Sequence, residues 1–512
     1  MNIDRRTLLR TGGGLLGTAV LTACGSRTPS GPAFVRPDGP QVRAAEQARR
    51  PGTVRDFRLV ATESEVDLGG VTTRTWTYDG RLPGAEIRVN AGEVIRARLA
   101  NRLPAGTTVH WHGLALRNDA DGVPGVTQQP ISTGSEYVYE FTAPDPGTYW
   151  FHPHQGTQQD RGLYAPLIVE DPREPLSYDA EWVVVLDDWL DGITGEPDEV
   201  LAELTRGMGA MPGMSPGMSD MSGMPGMSPS PGASSPSGMK HMLMGATSLL
   251  LGGDAGDVRY PHFLVNGRIP TRLATFNAKP GARLRIRLIN AGGDTAFRVA
   301  LAGHRMTVTH TDGFAVQHKR TDSLLIGMGE RYDVLVTLKD GVFPLVALAE
   351  GKQAVARALI RTSRSATAPG PAARPRELDS DPITYDALLP QAPVRLADRR
   401  PDRTVRLELT GTMMSYNWAI NGRKYDPEAI TPIRQGERVR LSFVNRTSMW
   451  HPMHLHGHTF ALPSGIRKDT AIVLPNSTLD VDFDAGNPGI WMIHCHNVYH
   501  AESGMMTLLG YS

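Results

Sequence analysis

Residues 78–103 read YDGRLPGAEIRVNAGEVIRARLANRL, and two later stretches repeat the plan: 265–292, VNGRIPTRLATFNAKPGARLRIRLINAG, and 420–447, INGRKYDPEAITPIRQGERVRLSFVNRT. Each holds a turn, an extended segment, a second turn at glycine and an alternating strand. Gly92, Gly281 and Gly436 stand nine residues before Asn101, Asn290 and Asn445. Alternation such as Val439-Arg440-Leu441-Ser442-Phe443 puts the apolar side chains on one face of a strand. Short strands with regular turn signals predict β-sandwiches, so three copies predict three such domains in an all-β chain. A length of 512 residues fits about three domains.

Soon after its asparagine the first copy reaches His110 and the third reaches His451, whereas the second continues through Phe297-Arg298-Val299-Ala300. The middle domain therefore reads as a spacer with the fold but without ligands. Four His-X-His pairs occur: His110/His112, His152/His154, His454/His456 and His494/His496. On a strand both members of such a pair share a face. Eight imidazoles in four pairs can enclose several metal ions, and their origin in the first and third domains places that cluster between those two. The last pair straddles Cys495, which must then point the other way. His500 follows five residues later and Met505 ten later, and His451 supplies a second imidazole. A thiolate, two imidazoles and a weak axial thioether form the ligand set of a blue-copper electron-transfer site. One residue of backbone would join the two centres. The remaining histidines, His241, His262, His304, His310, His318 and His458, are expected to be hydrogen-bonded or exposed instead.

At these residues the chain resembles the multicopper oxidases. HWHG, HPH within YWFHPH, HPMHLHGH, and HCH followed by HXXXGM appear in the family's order, along with RNDADGVPG, RGLYAPLIVEDP, VVLDDWLDG, FLVNGRIP and RKDTAIVLP. The resemblance implies three cupredoxin-like Greek-key β-sandwich domains and four copper ions. His451, Cys495, His500 and Met505 would hold type 1 copper; His110 and His454, type 2; His112, His152, His154, His456, His494 and His496, the type 3 pair. It also implies one-electron oxidation of a reductant coupled to reduction of dioxygen to water, which requires protons. Asp121 matches the family's acidic residue after the first pair. Many members also carry an acid directly after the second type 1 histidine; here Ala501 stands there and Glu502 follows, as the second expected shuttle. The expected reductant is Cu(I), in copper resistance, with laccase-like phenol oxidation or Fe(II) oxidation as the enzymatic alternatives. A non-catalytic copper-binding protein is the alternative of another class.

The rest of the chain sets the context. With 53 basic and 53 acidic side chains there is no overall field to attract nucleic acid. Residues 1–24 read as a twin-arginine export signal, with Arg5-Arg6, an apolar run and a lipobox-like end at Cys24. Cleavage would leave either a lipid anchor on Cys24 or an ordinary mature end, in the periplasm or on the outer face of the membrane. Residues 25–52 are rich in Gly, Pro, Ala and Arg and read as a flexible tether. The three domains are expected at 53–172, 173–362 and 404–512, with a Pro-, Ala- and Arg-rich linker at 363–403. Within the second, residues 208–244 carry half of the twenty methionines among Gly, Pro and Ser. Such a composition cannot bury a core, and thioethers favour Cu(I), so this insert reads as a mobile cuprous-ion collector. Three domains can build the whole site in one chain, and a monomer is expected.

Overall fold

The computed structural model describes residues 33–207 and 239–512. The export signal, Cys24, residues 25–32 of the expected tether and residues 208–238 of the methionine-rich insert lie outside the described residues. Among the described residues no helix is long and apolar enough to cross a membrane.

The repeat is visible as one wiring scheme used three times. Its second strand, Val94–Asn101, Arg283–Asn290 or Arg438–Asn445, pairs parallel with the first strand of its domain and antiparallel with a later one. Its first strand, Ile87–Asn90, Ala274–Asn277 or Ile430–Ile433, joins the opposite sheet, parallel to the last strand of the domain. Each copy thus crosses from one sheet to the other through the turn at Gly92, Gly281 or Gly436, where φ is +87°, +79° and +83°. Glycine adopts that conformation without a steric cost. The result is three two-sheet sandwiches, with the apolar faces of Leu284, Ile286 and Leu288, or of Val439, Leu441 and Phe443, turned inward.

The repeat asparagines have a shared task. Asn101 donates from Nδ2 to the carbonyls of Ala105 and Ile131, Asn290 to those of Thr295 and Ile326, and Asn445 to those of Met449 and Val473. Each fixes the loop that delivers the next strand, and in the first and third domains that strand carries candidate ligand histidines. Asn445→Ala is expected to cost about 1–3 kcal/mol by stranding buried carbonyls. Denaturant unfolding of the full chain should show this loss, along with poorer metal retention at His451.

Three segments are more firmly packed than their composition suggests. Residues 34–52 are not a free tether: Pro40–Ala48 is a helix, and Val35 N–H bonds to the Tyr511 carbonyl. Glu46 is buried and accepts from the N–H and hydroxyl of Thr142, while Arg49 reaches Asn487. Buried Val42 and this one carboxylate outweigh a loop-like composition. The linker 363–403 packs along the middle domain, burying Leu378 and Leu388 and bridging Ile383 to Leu324. The last residues of the insert are also fixed: Met239 and Met242 are buried, Met242 bridges to Val258, and His241 is locked between Glu203 and the Thr194 carbonyl.

Candidate metal centres

Two antiparallel strand pairs, each made of strands distant in sequence, bring the histidine pairs together. Strand His110–His112 lies against Gly147–His152 with His110 opposite His152, and strand His451–Leu455 lies against Ile490–Cys495 with His454 opposite His494. Alternation then separates the faces. Trp111 enters the first-domain core, and Cys495 enters the third-domain core on the side away from His494 and His496. All eight paired histidines converge between the first and third domains.

The ring nitrogens fall into ordered sets. His110 donates from Nδ1 to the Asp121 carbonyl and His454 from Nδ1 to the Asp469 carbonyl, each near 3 Å, and the Nε2 atoms of both are buried without a partner. His494 and His456 donate from Nδ1 to the Cys495 carbonyl and to Asp121 Oδ2, so their Nε2 atoms carry lone pairs. Those atoms face one another at 3.1 Å, with His154 Nε2 3.3 Å from His494. His112 donates from Nε2 to Asp469 Oδ1, and its Nδ1 stands 3.3 Å from His496 Nε2; His152 Nε2 is another buried, unpartnered atom nearby. Lone pairs opposed at such distances repel unless a cation lies between them, so the donor set fits bound metal. Burial first, then neighbouring imidazoles, pushes His112, His152, His154, His456, His494 and His496 well below the ordinary histidine range. Neutral imidazole is the form that ligates.

The second centre lies on the other side of Cys495. Its Sγ is 3.6 Å from the Nδ1 atoms of both His451 and His500, which are 3.0 Å apart. His451 donates from Nε2 to the Thr447 hydroxyl and His500 from Nε2 to Asp257, so both present Nδ1 to the thiol. Burial lowers the His500 imidazole, but Asp257 and Cys495 outweigh it and raise it to about 10, and a metal there would displace that proton. Met505 is fully buried, and its carbonyl accepts from Cys495 N–H. Asn497 caps the short helix Val498–Ser503 that carries His500. Trp418, fully buried, packs 4.4 Å from the His500 ring and excludes water.

The two expected proton carriers are both beside the eight-histidine cluster. Asp121 is fully buried, and its Oδ1 has no hydrogen-bond partner. Glu502 borders a cavity of about 20 Å³ with His154, Gln159 and His494, room for about one water. Burial, helped by Asp198, raises its carboxyl to about 7. None of the six remaining histidines joins either centre. His304 accepts from Lys339 N–H, His458 lies against Tyr511, His310 is half-buried beside Asp333, His262 is half-buried and His318 exposed. Sequence reading missed Thr447, Asp257 and Asp469, which bond to candidate ligand histidines, and Arg331, which holds Asp469. Asp469 alone had a signal, its place in RKDTAIVLP.

Three multicopper oxidase family profiles match this chain, at residues 60–174, 181–365 and 398–510, and the chain belongs to that family of copper-dependent, oxygen-using oxidoreductases. It is 46% identical to multicopper oxidase MmcO of Mycobacterium tuberculosis, over 99% of this chain and 97% of that one. A copper resistance protein A homolog from Pseudomonas syringae pv. tomato is 29% identical, over 88% and 91% of the two chains. Among solved structures, a laccase from Botrytis aclada superposes with a TM-score of 0.71 at 24% identity, covering 90% of this chain and 88% of that one. Fet3p, described as a multicopper oxidase that functions in iron import, gives 0.70 at 21% identity, covering 90% of each.

Proposed function

We propose that the protein is a cuprous oxidase serving copper resistance, with four copper ions held by the residues named above: type 1 by His451, Cys495, His500 and Met505, type 2 by His110 and His454, and the type 3 pair by the other six histidines. Copper bound at these two centres supplies one-electron redox chemistry and the reduction of dioxygen to water. The observation that carries the reading is the pair of buried donor sets joined through the single residue Cys495, flanked by His494 and His496. The His494 Nδ1 bond to the Cys495 carbonyl, 2.8 Å long, adds a second connection beside the covalent one. Asp257 and Thr447 hold the type 1 imidazoles in the required tautomer, and Asp121 Oδ1 and the Glu502 carboxyl stand where protons would be passed to the cluster.

Cu(I) is favoured as reductant by the ends of the methionine-rich run. Gly207, the described residue just before it, packs against Met414 and Ser415, and Tyr416 just beyond donates to Asp257. On the other side Met242 bridges to Val258, next to Asp257. The described residues on both sides of the run are thus fixed to the wall of the type 1 centre, and three relatives are named for copper resistance. Residues 1–24 are proposed to export the protein by the twin-arginine route to the periplasm or the outer membrane face, with Cys24 as a lipid anchor. Completeness of both donor sets within one chain supports a monomer.

Oxygen uptake by the copper-loaded full chain, compared with a variant lacking residues 208–238, tests this reading. Cu(I) oxidation should fall about 10²-fold through loss of local capture, with phenol oxidation retained or raised. Unchanged Cu(I) turnover would move the laccase-like reading ahead. Absence of uptake with Cu(I), Fe(II) or a phenol would favour a copper-binding protein without turnover.

A further inference from the structure

We propose that Asp469 and Arg331 are a positioning pair for the eight-histidine centre, through which the middle domain sets the tautomer and orientation of His112 and His454. The inference rests on the ligand assignment above. Asp469 serves two histidines by two different atoms: its Oδ1 accepts from His112 Nε2 at 3.1 Å, and its carbonyl accepts from His454 Nδ1 at 2.9 Å. The first bond leaves His112 presenting Nδ1, and the second leaves His454 presenting Nε2. The two rings stack with centroids 3.9 Å apart and planes 12° from parallel. Fixing the outer nitrogen of a metal-binding imidazole orients the ring and raises its basicity.

Asp121 does the same job from the first domain. Its carbonyl accepts from His110 and its Oδ2 from His456, and those rings stack at 3.8 Å. Each aspartate therefore holds one histidine of its own domain by backbone and one of the opposite domain by side chain. Their environments differ. Asp121 Oδ1 has no hydrogen-bond partner, whereas Asp469 is gripped by both terminal nitrogens of Arg331, at 2.7 and 2.6 Å. A two-toothed guanidinium grip fixes the carboxylate plane. Arg331 also donates from Nε to the Thr148 carbonyl of the first domain, and a methyl on Gly113, the glycine of HWHG, would lie 2.4 Å from Arg331 Nη2 and 2.7 Å from Asp469 Oδ2. The pair is thus wedged against the first ligand strand. Gly329 of the same middle-domain loop leaves no room for a side chain against the His496 ring. A domain without ligands still shapes the centre.

Full-length variants reconstituted with copper test the pair. Arg331→Lys keeps the charge and loses the grip. Asp469→Asn keeps the size and loses the anion. Arg331→Met combined with Asp469→Asn removes both charges, so that no unpaired charge is buried. Each should retain the visible thiolate-to-copper absorption of the Cys495 site, which reports folding and loading. Copper affinity at the eight-histidine centre should fall about 10–100-fold, with an altered type 2 electron paramagnetic resonance signal. Lys468 lies in the same buried network, on Asp312 and Glu330, but touches no histidine; Lys468→Gln should lower the melting temperature and leave that signal in place. Wild-type copper content and an unchanged type 2 signal in all three variants would overturn the proposal and reduce the pair to an inter-domain strut. A wild-type protein with no type 2 signal after reconstitution would overturn the ligand assignment itself.

Discussion

Cys495→Ser is expected to abolish oxidation of every reductant while sparing the eight-histidine centre. The thiol is fully buried and equidistant from His451 and His500, so no other soft donor can replace it from solvent. A serine hydroxyl at that point is a hard, neutral oxygen that does not suit a soft redox metal. Copper content should drop by about one ion, the visible absorption should vanish, and the type 2 signal should persist. Dioxygen reduction would then lack its electron supply, because the proposed route runs from the thiolate to His494 and His496. Continued Cu(I)-dependent oxygen uptake by this variant would show that electrons enter elsewhere.

Asp121→Asn should lower kcat by about 10²–10⁴-fold, the usual worth of a positioned proton-transfer group, while KM for the reductant stays near its original value. Asparagine can still accept from His456 but cannot carry a proton on Oδ1, the atom that has no hydrogen-bond partner although it lies 3.2 Å from His110 Nδ1. Glu502→Gln should act in the same direction from the other side of the centre, where the carboxyl shares its one-water cavity with His154 and His494. A larger solvent isotope effect in either variant, at full copper content, would identify proton supply as the affected step. A loss of rate that merely tracks a loss of copper would mean that these carboxylates position ligands only.

Local spacing made the histidine sets legible in the sequence. A two-residue period assigns faces on a strand without knowledge of the partner strand, and the three copies of the glycine-to-asparagine unit recur as three copies of one sheet crossing. What sequence spacing could not reveal are the contacts that cross domains. Asp469 meets His112 across 357 residues, and Asp257 meets His500 across 243; no periodicity links such positions. The same limit explains why the middle domain reads as a spacer. Composition misled in the opposite direction at residues 34–52, where one buried carboxylate and a helix turn a loop-like stretch into a clamp on Thr142 and Asn487.

The distance in sequence between the ligands has a consequence for biosynthesis. His112 waits for His496, 384 residues later, so the first domain can emerge from the ribosome and fold well before its metal site exists. On the proposed ligand assignment, the cluster is expected to fill only after the third domain has been made and has closed on the first. An export route that accepts folded cargo leaves time for that step before the protein departs, whereas one that threads an extended chain would postpone it to the far side of the membrane.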